Sequence, residues 1–437
     1  MEMYKTLGLN PKNKYMITFV GGGGKTSLMF SLAYNLKQFG SVLVTTTTRI
    51  RFEGENRYDN LVMLDKNKED LFKPKKGITL LGNGIESGKV VGVSKELLDD
   101  LYDKNLYNFI LIEADGAKEK PIKACKEGEP IIPLKTNINI GVIGVEALDK
   151  TVDEICFRKD IFKDITGYNL ENVIDNNCII NLINHNKGLF KETPENCKKF
   201  FVVNKCDNEI TQKRAKDLLR KVMKLTNISR VFLSSTYENI FLREYFNISG
   251  IVMASGLSRR MGQNKLLMNV NKKPMVENIV QQCTLSHLKN VLVVYSKEEV
   301  KNIVKDYDVI FCYNSQPEIG QSESIKIGVK KSSEDNVDGY MFLVSDQPFL
   351  KSETINKLLS NFENNIVIPV YNGKKSSPVT FPSSLKEKFL LLENDNGGRE
   401  IIKQCENIIK VEIDSSTEGI DIDTLEEYEA IGRERNE

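Results

Sequence analysis

Short apolar runs recur along the chain, and most end in small or polar residues. The clearest are YMITFV (15–20), VLV (42–44), FILI (109–112), FFVV (200–203), VFL (231–233), IVM (251–253), VLVVY (291–295) and YMFLV (340–344). Continuous rather than alternating apolar character predicts strands buried on both faces, the habit of parallel sheets. LVMLD, ITLLG and KVVGV (residues 61–93) read as further strands. Between the runs, apolar residues at helical spacing predict helices over 27–36, 95–103, 275–285 and 297–304, and a helix-like stretch over 238–246. Strand and helix alternate, so the fold class is α/β. The strand at Ile251 follows almost directly on the stretch ending at Phe246, with no Pro/Gly/Ser linker. The boundary is therefore expected near 247, giving domains 1–246 and 247–437.

Two strand ends carry phosphate chemistry. Tyr15–Val20 runs into Gly21-Gly22-Gly23-Gly24-Lys25-Thr26 and then the helical stretch from Ser27. Strand, glycine loop, Lys-Thr and helix is the P-loop order. Backbone amides cradle phosphate, the lysine reaches the terminal phosphates and the hydroxyl serves Mg²⁺. Gly22, Gly23, Gly24, Lys25, Thr26 and Ser27 are the expected nucleotide contacts, although Phe19 stands where the full pattern has a first glycine. Phe109–Ile112 ends in Glu113 and Asp115, the acidic strand tip that holds Mg²⁺ directly or through water. Lys118 and Lys123 read as solvated loop charge, and Thr45–Thr48 as either ligand groups or ordinary strand residues. Asn204-Lys205-Cys206-Asp207 resembles the Asn-Lys-x-Asp guanine-reading motif, with Ser234-Ser235 in the place of a later base-contact loop. That order favours GTP over ATP.

The second strand end is GIVMASGLSRRMGQNK (250–265), an apolar run opening into small residues, two arginines and Lys265. Exposed amides in such a loop bind anions, and forked or point cations neutralise phosphate. Tyr340–Val344 delivers Asp346 beyond its carboxyl end, where one aspartate can hold Mg²⁺ against a triphosphate. Gly320–Gly328 places Ser322 and Ser324 before a helix, either being a natural N-cap.

Composition narrows the functional class. At 437 residues the chain exceeds one ordinary core, and 61 basic against 60 acidic residues give a net charge of +1. That balance supports neither a nucleic-acid nor a membrane surface. No apolar stretch reads as a signal peptide or a span. Eight scattered cysteines with no Cys-x-x-Cys point to a reducing, cytoplasmic setting and away from zinc or iron–sulfur sites. Two histidines, His185 and His287, leave little for histidine-based metal or triad chemistry.

The motifs resemble two families. GGGGKTSL, VTTTTRI, LIEADGAKEKPIKA and VVNKCD resemble the YqeC-like accessory family of selenium-dependent hydroxylases, across residues 1 to ~246. The 250–265 stretch resembles the nucleotidyltransferases that handle the molybdenum cofactor, matching at Ala254, Gly256, Ser258, Arg260, Met261, Gly262 and Lys265, with Ser255 for an alanine. Asp-Gln-Pro (346–348), Asn394–Arg399 and Asp421-Ile422-Asp423-Thr424 extend the likeness, while Ser377 replaces a histidine. The resemblance implies a Rossmann-like, nucleotide-diphospho-sugar-transferase type domain. It implies Lys265, Arg260 and Asp346 as catalytic, and Ala254, Ser255, Gly256, Ser258, Gly262 and Ser324 as nucleotide contacts. Asp421 or Asp423 would complete a Mg²⁺ site with Asp346. The implied reaction is cytidylyl transfer from CTP to molybdopterin, with a molybdenum hydroxylase as client of the whole chain. Its rivals are guanylyl transfer to the same cofactor, a sugar-1-phosphate nucleotidyltransferase, and a cofactor carrier or insertion chaperone without turnover.

Overall fold

The computed structural model describes residues 2–52, 57–256, 264–335, 337–415 and 417–433. The chain divides into two compact units, Met1–Tyr245 and Phe246–Glu437.

The first unit is built on nine strands: β1 Tyr15–Gly21, β2 Ser41–Thr46, β3 Asn60–Met63, β4 Gly77–Gly82, β5 Phe109–Glu113, β6 Ile138–Gly144, β7 Lys198–Asn204, β8 Arg230–Ser235 and β9 Ile240–Tyr245. Their order is β9-β8-β7-β6-β1-β5-β2-β4-β3, and only β9 runs antiparallel to its neighbour. Alternate residues of β1 serve opposite faces. Ile17 and Phe19 pack with Leu28 and Leu32 of α1 (Lys25–Leu36), while Val20 joins Phe201 and Val203 of β7 and Leu218 and Val222 of α3 (Glu209–Leu225). Each such side chain, fully buried, contributes about 1.5–3 kcal/mol. Ser94 caps α2 (Lys95–Asp103) by accepting from the Leu97 amide at 3.3 Å, and Asn208 and Thr211 form a capping box on α3.

The stretch over 238–246, read as helix-like, is instead edge strand β9. It closes a hairpin with β8 across residues 236–239, with Asn239 at φ +55° supplying the left-handed turn residue.

The second unit contains β10 Ile248–Ala254, β11 Asn290–Tyr295, β12 Ile310–Tyr313, β13 Gly339–Val344, β14 Ile366–Tyr371, β15 Lys374–Lys375, β16 Val379–Pro382 and β17 Ile408–Ile413. The order is β12-β11-β10-β13-β16-β14-β15, with β17 also on β14. Helices α4 (Met275–Leu285) and α6 (Gln321–Ser332), with α5 (Glu298–Val304) between them in sequence, cover opposite faces. Ile248 and Val252 of β10 meet Val276 and Ile279 of α4, and Ile251 meets Ile325 and Val329 of α6. The chain runs outward from β10 to β11 and β12, then returns to β13 on the other side of β10. The topological switch point therefore lies between β10 and β13, the crevice where open α/β sheets bind ligands.

Among the described residues no helix is long and apolar enough to cross a membrane. All eight cysteines are free, seven of them buried. Burial pushes the Cys125 thiol up to about 12.

Candidate functional sites

The glycine loop turns sharply out of β1. Gly23 and Gly24 sit at φ +72° and +108°, and a Cβ on Gly23 would stand 2.0 Å from the Gly144 backbone nitrogen, so no other residue fits that turn. Gly24 caps α1, whose first turn carries no side-chain cap. The Lys25 ammonium folds back on the Gly21 carbonyl at 2.6 Å and pairs with Asp115 at 3.1 Å and Glu113 at 3.5 Å. Burial alone would lower its pKa; the carboxylates of Asp115 and Glu113 outweigh it, and the net shift is upward. Thr26 Oγ1 donates to Glu113 Oε2 at 2.6 Å. Burial raises the Glu113 carboxyl against the opposing pull of Lys25 and Thr26.

Asp115 is placed differently from its neighbour. It is wholly buried, accepts from the Gly21 amide at 3.0 Å, and meets Lys25 on one oxygen and Lys123 on the other at 2.9 Å. Burial would raise its pKa, but the two lysines hold it below the ordinary value. Lys123 is therefore not solvated loop charge. Its side chain is fully buried, donating also to the Gly116 carbonyl at 2.9 Å. The threonines are largely structural: Thr45, Thr46 and Thr47 donate to the Leu81, Glu113 and Ile131 carbonyls at 2.8, 2.7 and 2.8 Å.

Asn204, at the end of β7, donates to the Gly23 carbonyl at 2.8 Å and so fixes the glycine loop. Lys205, at φ +64°, pairs with Glu146, and Asp207 accepts from Ser235 Oγ. The three residues stand two strands from β1. Structure thus gathers Gly22–Ser27, Glu113 and Asp115 at one point, and sets Lys205 and Asp207 at its β7 flank.

At the switch point of the second unit, Ala254 ends β10 and Ser255 follows it, both buried. Ser255 Oγ is bonded to Ser324 Oγ, and Ser324 also accepts from Asn314 Nδ2 at 3.0 Å. Neither Ser322 nor Ser324 caps α6. The cap is Gly320 at φ +116°, where a Cβ would stand 2.3 Å from Asp395 Oδ1, and both serines lie buried inside the first turn. Asn314 carried no sequence signal. Ser258, Arg260 and Gly262 lie outside the described residues, and Gly256 is the last described residue before them.

Lys265 is the centre of this crevice. Its ammonium donates to Asp346 Oδ2 and Asp423 Oδ1, each at 2.8 Å, and to the Ile422 carbonyl at 3.2 Å. Burial would lower its pKa, but Asp346 and then Asp423 bring the net shift upward. Asp346 Oδ1 is buried and has no hydrogen-bond partner among the described residues. Asp421 turns elsewhere: it accepts from Gln347 Nε2 at 2.8 Å, and that amide also donates to Ser376 at 3.0 Å. Desolvation, then the charge of Asp346, raises the Asp421 carboxyl. Among the described residues no three His, Cys, Asp or Glu side chains form a metal cage. Two carboxylates with an unmatched oxygen instead suit a hard cation completed by phosphate oxygens, the manner in which Mg²⁺ is usually held.

Comparison with known proteins follows this division. Residues 17–160 match the YqeC protein model. The YqeC protein of Escherichia coli (strain K12) is 34% identical over 208 residues, covering 46% of this chain and 81% of that protein. The chain belongs to the YqeC family. In this YqeC member, residues 250–408 match the MobA-like NTP transferase domain, which makes the chain a nucleotidyltransferase. The purine catabolism protein PucB of Bacillus subtilis (strain 168) is 29% identical over 197 residues, 42% of this chain and 95% of that protein. A "Probable molybdenum cofactor guanylyltransferase" of Bacillus cereus (strain Q1) is 29% identical over 191 residues, 41% of this chain and 93% of its own.

Proposed function

We propose that the C-terminal unit transfers a cytidylyl group from CTP to the terminal phosphate of the molybdenum cofactor's pterin, releasing pyrophosphate. The N-terminal unit is a nucleotide-binding accessory domain, with GTP preferred to ATP, and the whole chain serves maturation of molybdenum hydroxylases, selenium-dependent ones included. The two domains are taken as residues 1–246 and 247–437. One observation carries the reading. Lys265 bridges Asp346 and Asp423 at the β10/β13 switch point, leaving one Asp346 oxygen without a partner among the described residues.

The roles follow from that geometry. The pterin phosphate is already ionised at neutral pH, so attack on the α-phosphate needs no general base. Catalysis is positioning plus charge neutralisation. Lys265 occupies the place between two carboxylates that suits a cation, and turns to phosphate when a triphosphate enters. Asp346 and Asp423 would hold Mg²⁺, which when bound neutralises the triphosphate and the departing pyrophosphate. Ala254, Ser255 and Gly256 offer loop amides to the nucleotide, and Ser324 fixes Ser255; Ser258, Gly262 and Arg260, outside the described residues, are assigned by the motif alone, as further nucleotide contacts and a forked cation. In the N-terminal unit, Gly22–Ser27 take the phosphates. Thr26 and Glu113 fit a Mg²⁺ site because their oxygens already meet at 2.6 Å; Asp115, gripped by two lysines, orients Lys25 instead. Asn204, Lys205 and Asp207 face the base.

CTP as donor is supported by Ser255-Gly256 and by Asp346-Gln347-Pro348. A guanylyl reading is favoured by the printed name of the Bacillus cereus relative. Pyrophosphate release tests the site: Lys265→Ala should abolish it, whereas Lys25→Ala should spare it and remove only N-terminal nucleotide binding. Loss of transfer in Lys25→Ala alone would overturn the two-site reading.

A further inference from the structure

A cavity of about 1,330 Å³ opens beside the glycine loop, lined by Gly22–Ser27 and Glu113 and extending over residues 47–52, 87–89, 116–120, 126–131 and 157–158. Of these walls, residues 47–52 and 116–120 follow β2 and β5, whereas the Asn204–Asp207 segment follows β7, on the other side of β1. A nucleoside triphosphate with its base at β7 and its phosphates on the loop would therefore point its terminal phosphate into this cavity. The space exceeds the ~300–1,000 Å³ of a usual single-ligand pocket.

The lining is more basic than acidic, with Arg51 held by Glu119 at 3.4 Å and Arg49 by Glu86 at 2.8 Å, both exposed pairs that an anion can replace. Eight basic side chains line the cavity against four acidic ones, and all of the basic ones but Lys25 lie outside the glycine loop. The backbone there is constrained: Lys118, Glu119 and Arg158 are non-glycine residues at φ +47°, +63° and +63°. It is also tied to the phosphate site, because the Lys120 carbonyl accepts from the Gly23 amide at 3.2 Å. Arg158 is set by a forked pair with Glu129 at 2.6 and 3.1 Å.

Resting on the reading that the glycine loop binds a nucleoside triphosphate, we propose that this cavity is a second ligand site. It takes a phosphate-bearing small molecule, held by the Arg51/Lys118 wall and facing the nucleotide's terminal phosphate. The N-terminal unit is then a two-ligand site rather than a simple nucleotide switch.

The test uses the full chain carrying Lys265→Ala, so that the C-terminal crevice does not dominate anion binding. It is first titrated with a non-hydrolysable GTP analogue and Mg²⁺, which examines the underlying reading by itself. Failure there removes that reading and this site with it. The loaded protein is then titrated calorimetrically with inorganic pyrophosphate. Saturable binding is expected, weakened about tenfold or more by Arg51→Ala/Lys118→Ala, with analogue affinity and thermal stability unchanged. Both substituted residues are exposed, so folding should survive. The proposal is overturned by no saturable binding to the loaded protein, by binding indifferent to the double substitution, or by an equal loss of analogue affinity, which would make the cavity merely part of the nucleotide site.

Discussion

At the scale of single residues, two carboxylates two positions apart in each site behave differently because their partners differ. Asp423 faces Lys265, whereas Asp421 is turned to Gln347. Asp423→Ala should therefore raise the Mg²⁺ needed for pyrophosphate release and lower the rate by roughly 10²-fold. Asp421→Ala should have a much smaller effect, measured in the same Mg²⁺ titration. In the N-terminal unit Asp115 balances two buried lysines. Removing it in Asp115→Asn should cost about 3–5 kcal/mol, read by chemical denaturation at neutral pH. Its folded pKa is depressed, so its contribution is fully present above the ordinary carboxyl value of 3.8 and is lost as pH falls through the depressed one. The gap between the two proteins should accordingly close in strong acid.

At the scale of elements, the glycine loop is the least tolerant segment. Gly23→Ala would drive a methyl into the Gly144 backbone at a left-handed φ. It should destabilise the unit by about 1–3 kcal/mol and abolish analogue binding, measured by thermal unfolding and titration; Ala tolerated there with binding intact would contradict the geometry. Much of this level was legible in the sequence. Buried strands announce themselves as continuous apolar runs, and α2 spans residues 95–103 as its spacing predicts. Edge strand β9 was not legible, since a short mixed run fits either period and only pairing with β8 decides. Nor was the α6 cap, because the need for Gly320 comes from Asp395, distant in sequence. Lys123 shows the same limit: burial of a lysine is set by Asp115 beside it in space, and a list of charges along a loop carries no sign of that. What the motifs did carry was placement: Lys25 and Asn204 lie at or just past the ends of β1 and β7, and Lys265 and Asp346 meet beside the ends of β10 and β13.

At the scale of the whole molecule, the chain divides into two compact units, and the proposed function puts one phosphate-binding strand end in each. Two nucleotides per chain should bind independently, so Lys25→Ala and Lys265→Ala should each remove one of two sites in an equilibrium titration. Fold and family leave the transferred base as the open choice. The most direct measurement is pyrophosphate release by the full chain with molybdenum cofactor and Mg²⁺, offered CTP, GTP or ATP in turn. Fastest release with CTP, abolished by Asp346→Ala, is the predicted result. Fastest release with GTP would contradict cytidylyl transfer, and no release with any triphosphate would contradict transfer itself.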